Sequence, residues 1–216
     1  MNSANIFKSD EELAAGLPEI QHSPSTNGVL RAIVIRPEKE QRLSLTTCEL
    51  SAEGGAHGDN WAKGCWLSLP DGRPHPDAQL TLMNSRCIVL IARDASRWPL
   101  AGDNLFVDLD LSRKNLSAGD RLQIGPVILE ITTQAHNGCA KFARRFGAPA
   151  LAFVNSPEGK ALRLRGIYAR VVEPGNVSVG DAIAKLPAAR RAGNRRPRMF
   201  CPFAKPKLKN SETRVD

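Results

Sequence analysis

Apolar residues recur along this chain in short runs broken by Gly and Pro, with few long stretches at the 3.6-residue spacing of helices. Val29–Arg36 (VLRAIVIR) is a nearly continuous apolar stretch that stops at Pro37, as a strand buried on at least one face does. Val127–Thr133 (VILEITT) is rich in β-branched residues. Leu162–Val172 (LRLRGIYARVV) alternates Leu and Arg before Pro174-Gly175, which predicts a strand with Arg163 and Arg165 on one face. Two segments, Ser117-Ala118-Gly119-Asp120 and Ser178-Val179-Gly180-Asp181, repeat one pattern: Gly permits a positive φ, Asp satisfies nearby backbone donors, and alternating apolar residues follow. Each predicts a turn launching a strand.

Helical signals are few and local. Ser9 with Glu12 three residues later reads as a capping box, and Gly16 as a stop, for a short helix in the lead-in 1–27. Asn84-Ser85 caps a helix over Arg86–Arg93, or that apolar run is itself a strand. Cys139–Phe146 (CAKFARRF) predicts a helix with Phe142 and Phe146 on one face and Gly147 as a left-handed stop; Pro149 opens another, through about Val154. Short strands joined by glycine turns close naturally into a barrel that hides its edges, so the fold class expected is mainly β, a barrel over 28–186 with a few short peripheral helices.

Charge divides the chain. The net charge is +8, yet residues 187–216 hold nine Lys or Arg against two acidic residues, so 1–186 is nearly neutral. With four prolines and little periodic apolar content, 187–216 reads as a disordered basic tail, solubilising or able to dock on RNA or another anionic partner. Nucleic-acid binding by the barrel is disfavoured, since there is one Tyr and no interleaving of basic and aromatic residues on the strands. No run approaches the ~20 apolar residues of a membrane span, and five cysteines without a CxxC pair fit a reducing, cytoplasmic setting.

Candidate chemistry centres on Cys139, in Ala135-His136-Asn137-Gly138-Cys139-Ala140-Lys141-Phe142. A helix start supplies free N–H groups and partial positive charge, and Lys141, Arg144 and Arg145 add full charges, all favouring thiolate. Two readings stand on placement alone: a reactive thiol, or a small hydrophobe packed with Phe142 and Phe146. Among the other cysteines, Cys87 is expected in the core, Cys48 in a strand-like segment, Cys201 in the tail, and Cys65 is the one plausible second thiol. His57-Gly58-Asp59 and Gly102-Asp103-Asn104 form polar glycine loops, able to approach a ligand but also ordinary turns. The histidines and cysteines lack the paired close spacing of a structural zinc site.

Taken in order, Gly58-Asp59, Gln79–Asn84, Gly102–Leu105, Leu116–Gly125, Leu129–Ile131, Gly138-Cys139, Arg165–Val171, Pro174-Gly175 and Gly180-Asp181 resemble the MOSC domain, named for the C-terminal domain of molybdenum cofactor sulfurase. The resemblance runs from about Gly28 to Ala184. It implies a β-barrel in which one cysteine carries sulfane sulfur as a persulfide or ligates the molybdenum of a bound pterin cofactor. Cys139 stands at that position, so it becomes both the catalytic residue and the metal ligand through the cofactor. Where the family often has Arg-x-Pro-Cys, this chain has His136-Asn137-Gly138-Cys139, closer to stand-alone members with His-x-Gly-Cys-x-Lys-Phe. Cationic and N–H donors suited to a pterin phosphate are Lys141, Arg144, Arg145 and Arg165; His57, Asp59, Asp103, Asn104 and His136 complete the implied cofactor-binding set.

The functions implied are reduction of N-hydroxylated small molecules with molybdenum cofactor, or sulfur transfer involving a separate cysteine desulfurase or a molybdoenzyme. Pyridoxal phosphate is not expected on this chain. The alternative is a non-enzymatic barrel binding RNA or an anionic partner through its tail.

Overall fold

The computed structural model describes residues 6–187. Its elements are helix α1 (Asp10–Gln21), strands β1 (Gly28–Ile35), β2 (Leu43–Leu45), β3 (Thr47–Ser51) and β4 (Gly55–Ala56), helix α2 (Trp61–Gly64), β5 (Leu80–Asn84), α3 (Ser85–Ala92), β6 (Leu105–Asp108), β7 (Arg121–Ile124), β8 (Val127–Ile131), α4 (Ala140–Phe146), α5 (Ala148–Asn155), α6 (Pro157–Leu162), β9 (Ile167–Glu173), β10 (Gly175–Ser178) and β11 (Ala182–Leu186). Strands β1, β11, β7, β8, β9, β5 and β6 pair in that order and close as β6 returns to β1, giving a seven-stranded barrel with β2 appended to β1. Strands β10, β3 and β4 form a separate small sheet.

One pairing, β5 with β6, is parallel; every other is antiparallel. Parallel neighbours need a crossover, which α3 and a 3-10 turn at Ala95–Ala101 provide. That crossover lies on the outside and buries the outer faces of the strands beneath it. Leu82, Leu105 and Ile33 belong to the barrel core with Leu30, Leu122 and Leu129, while their neighbours Met83, Phe106 and Val34 belong to a second core with Leu13, Ile88, Ile91, Phe142 and Phe146. Burial on both faces is why these strands carry continuous apolar runs in place of alternation.

The repeated Ser-x-Gly-Asp pattern makes two equivalent turns. Gly119 has φ +88° and Gly180 φ +99°, and the carboxylates of Asp120 and Asp181 accept from the N–H groups of Ser117 and Ser178 at 2.9 and 2.8 Å. These turns lead into β7 and β11, which pair with each other.

Several local expectations are corrected. The helix capped by Ser9 and Glu12 runs past Gly16 and through Pro18 to Gln21. Gly16 is a contact point and not a stop: a Cβ there would lie 2.4 Å from Leu90 of α3, so its absence lets the two helices meet. The Asn84 segment resolves as helix α3, with the Asn84 side chain accepting from the N–H groups of Arg86 and Cys87. Gly147 has a positive φ of +93° but ψ 161°, so α4 ends in an extended kink and not in a left-handed cap. Leu162–Val172 is not one strand: Leu162 ends α6, Arg163 is its left-handed cap, and β9 begins only at Ile167. Arg163 and Arg165 therefore do not share a strand face. The basic tail lies outside the described residues.

Gly166 has φ +106°, and a Cβ there would sit 2.3 Å from the Leu82 carbonyl oxygen, whereas one at Gly119 would meet nothing within 4 Å. Gly119→Ala therefore carries only backbone strain, about 1–3 kcal/mol. Gly166→Ala is expected to lower stability clearly more, because a backbone clash adds to the strain; urea unfolding of the two variants side by side measures the difference.

Candidate functional site

Cys139 stands as N-cap of α4, exposed, at the end of the loop that leaves β8. Of the two readings open from sequence, the packed one is excluded by position, since Phe142 and Phe146 point into the second core and Cys139 does not join them. Partial burial alone would raise the thiol pKa. The N–H groups of Phe142 and Lys141 and the charges of Arg165 and Lys141 outweigh that and hold it below the ordinary thiol value. Cys87, in contrast, is sealed in the core, where burial pushes its pKa far up, and burial also raises that of Cys48. Cys65 is half-buried at the end of α2.

The backbone before Cys139 is clamped. Asn155, at the end of α5, accepts from the Gly138 N–H at 3.0 Å and donates to the Gly138 carbonyl at 3.1 Å. A Cβ on Gly138 would lie 2.7 Å from Leu151 and 3.0 Å from Val154, so glycine here allows the loop to lie close against α5. No local pattern in the sequence marked Asn155; only the fold brings it to residue 138.

Behind Cys139 lies a buried polar group at the barrel end where β6 and β9 begin. Arg165 donates to Asp103 at 2.6 Å and to the Ala101 carbonyl at 3.0 Å, and its guanidinium lies 5.0 Å from the centre of the Phe142 ring. His136 packs its ring 4.7 Å from Tyr168 and places Nδ1 3.6 Å from Asp103 Oδ1, too far for a hydrogen bond. Asp103 Oδ1, His136 Nδ1 and Arg165 Nε have no hydrogen-bond partner though all are buried. Burial, then the cations Arg165 and Arg36, hold the His136 pKa well below its usual value, so the ring is neutral at physiological pH. Burial likewise pushes the Asp103 carboxyl up, opposed by Arg165 and Arg36.

Beside this group Asp59 and Asn104 are committed to internal partners. Asp59 takes a two-pronged hydrogen bond from Arg36 at 2.9 Å in both arms, and Asn104 binds Thr81, the Val34 carbonyl and Asp59. Their side chains hold the loop before β6 against β1 and β5. Lys141 and Arg145 face Glu40, at 3.6 and 2.5 Å, while Arg144 is exposed and forms no ion pair among the described residues. His57 is exposed on the turn after β4. Of the candidate residues, then, the structure gathers His136, Asp103 and Arg165 near Cys139, with Lys141 beside the thiol. It gives Asp59, Asn104 and Arg145 scaffolding contacts and leaves His57 and Arg144 on the surface.

A cleft of about 420 Å³ opens against His136 and Arg165; its lining mixes apolar side chains such as Leu116, Ile131 and Val154 with Arg113, Thr132, Lys160 and Arg163. Cys139 lies just outside its lining, three residues beyond His136.

The fold is a closed, mixed seven-stranded β-barrel with a few short helices, in which an exposed cysteine at a helix start accompanies a buried Arg–Asp pair. The family model for the MOSC domain matches residues 71–184, more than half of the chain, and the chain belongs to that family. In shape it is similar to the crystal structure of the YuaD protein from Bacillus subtilis, with a TM-score of 0.55 and 18% identity over 73% of this chain and 94% of that one. It is also similar to YiiM from Geobacillus stearothermophilus, with a TM-score of 0.50 and 17% identity over 74% of this chain and 75% of that one. No curated protein sequence matches the chain.

His136 yields a stability prediction. Its folded pKa is depressed below 6.5, so below about pH 6.5 the unfolded chain binds a proton that the native state resists. The native state therefore loses stability as pH falls from 6.5 toward 5. Replacing His136 by Gln should flatten the dependence of Tm on pH in that window, which thermal melts in a pH series will show.

Proposed function

We propose that this chain binds a molybdenum cofactor, that Cys139 offers its thiolate to the molybdenum, and that the protein reduces N-hydroxylated small molecules. The observation that supports this best is an exposed cysteine at the start of α4 whose surroundings favour the soft thiolate. The neighbouring residues fit such a group. Buried and without partners, His136 Nδ1 and Arg165 Nε leave hydrogen-bonding capacity unspent beside the cleft, a cost that a polar ligand would offset. Residues suited to holding the cofactor are Cys139, His136, Arg165 and Lys141, and when bound it supplies two-electron redox chemistry.

What the chain itself contributes is positioning and charge. Asn155 sets the peptide that carries Cys139, while the N–H groups of Phe142 and Lys141 and the charges of Arg165 and Lys141 favour the anionic form of the sulfur. Neutral His136 has one ring nitrogen with a proton and one without, so it can either donate to or accept from a ligand.

Exposure of Cys139 outside the cleft lining favours a second reading, in which the thiolate takes sulfane sulfur from the persulfide of a separate cysteine desulfurase, releasing the donor thiolate, and passes it to a molybdoenzyme. Docking on RNA through residues 187–216 rests on their charge alone. Among the described residues no helix is long and apolar enough to cross a membrane.

Metal analysis of protein purified from a host that makes the cofactor is the test. Stoichiometric molybdenum that disappears in Cys139→Ser, with Tm shifted by no more than about 2–4 °C, is the expected result. Sulfane sulfur on Cys139 without molybdenum selects the sulfur carrier. Neither group on the wild-type protein overturns both readings.

A further inference from the structure

The cleft beside His136 carries an unbalanced charge. Its lining contains Arg113, Lys160, Arg163 and Arg165 and no Asp or Glu. Arg165 is matched by Asp103, but the other three form no ion pair among the described residues. Elsewhere in the barrel and its helices most arginines are paired, as Arg36, Arg86, Arg93, Arg121, Arg145 and Arg170 are. Asp120, the carboxylate that acts on Arg163, already has Lys185 at 3.2 Å.

These cations are held together by the fold, not scattered by repulsion. Arg113 donates through Nε to the Lys160 carbonyl at 3.3 Å and through its backbone N–H to the Ala161 carbonyl at 2.9 Å, which stitches the loop after β6 to α6. Arg163 donates to the carbonyls of Leu111 and Leu116 at 3.2 and 2.8 Å. Its side chain is partly buried, and the nearby Arg113 charge disfavours its protonated form. The native structure thus keeps like charges on one lining, with guanidinium geometry suited to oxyanions. Thr132 and the nine-tenths-buried Arg165, whose Nε has no hydrogen-bond partner, lie on the same lining. A concave surface whose charged side chains are all of one sign concentrates counter-ions.

We propose that this cleft is a phosphate-binding site, in which Arg113, Lys160 and Arg163 receive the phosphate of a phosphorylated small molecule whose remainder reaches past His136 toward Cys139. The proposal names the ligand class for the site assigned above; it rests on the Cys139 reading for the purpose of binding but not for binding itself. The phosphate can come from a bound cofactor or from a substrate.

Isothermal titration of the full chain with pyrophosphate at fixed ionic strength is the experiment. Saturable binding is expected, weakened roughly tenfold or more in the double variant Arg113→Gln, Lys160→Gln, and unchanged in Arg190→Gln, Arg191→Gln. Both lining side chains are exposed, so the double variant should fold, and its Tm checks this. Cys139→Ser should bind as the wild type does, even if the thiol reading fails. Binding lost in cofactor-loaded protein assigns the cleft to the cofactor's phosphate; binding retained there assigns it to a substrate's. No saturable binding, or binding indifferent to Arg113 and Lys160 and abolished by the Arg190 and Arg191 changes, overturns the proposal.

Discussion

The parallel pairing of β5 with β6 is the constraint on which the rest of this molecule depends. Two parallel neighbours cannot be joined by a tight turn, so the chain leaves the barrel through α3 and returns along the outside. The excursion covers one flank of the barrel, creates the second apolar core, and gives α1, α4 and α5 a surface to pack on. It also ends in Gly102-Asp103-Asn104, whose last two side chains are fully buried because they lie between the returning chain and the barrel end. The same connection that solves a backbone problem thereby delivers a carboxylate to the site.

That carboxylate organises the chemistry around it. A buried Asp103 without Arg165 would be costly, and Arg165 without Asp103 more so, since breaking such a pair costs roughly 3–5 kcal/mol. Their partnership sets the potential felt by two other groups. Burial, reinforced by the positive field of Arg165 and Arg36, keeps His136 unprotonated, and Arg165 helps to acidify Cys139. One guanidinium, stacked on Phe142 of the helix that Cys139 caps, thus acts on both the neutral base and the thiol.

Much of the barrel was legible in the sequence because its signals are local. Gly119-Asp120 and Gly180-Asp181 write their turns within four residues, and the run from Val29 ends at a proline. The thiol was legible for the same reason: helix start, neighbouring cations and glycine all lie within a few positions of Cys139. What escaped depends on contacts distant in sequence. Leu162–Arg165 looks like strand, yet helix α6 overrides the alternation because Pro157 opens it, the Ser156 side chain caps it, and Gly159 lies against the Val154 backbone too closely for any Cβ. Asp59 and Asn104, read as ligand-facing turn residues, are spent on Arg36 and Thr81, partners that only the closed barrel supplies. Arg113 and Lys160 are 47 positions apart in the chain and share no motif.

The clamp between Asn155 and Gly138 ties the position of the thiol to the chemical integrity of one amide. Its two hydrogen bonds require an oxygen and an NH2 in fixed places, so the side chain works as a substitute for a neighbouring strand's peptide. Deamidation, the slow hydrolysis by which asparagine becomes aspartate, would leave the Gly138 N–H served but set a carboxylate oxygen against the Gly138 carbonyl. Two acceptors cannot share that space, so the loop would lift from α5 and carry the sulfur with it. Ageing of a single side chain two helices away would then register at the thiol as a change of place, with the barrel beneath it intact.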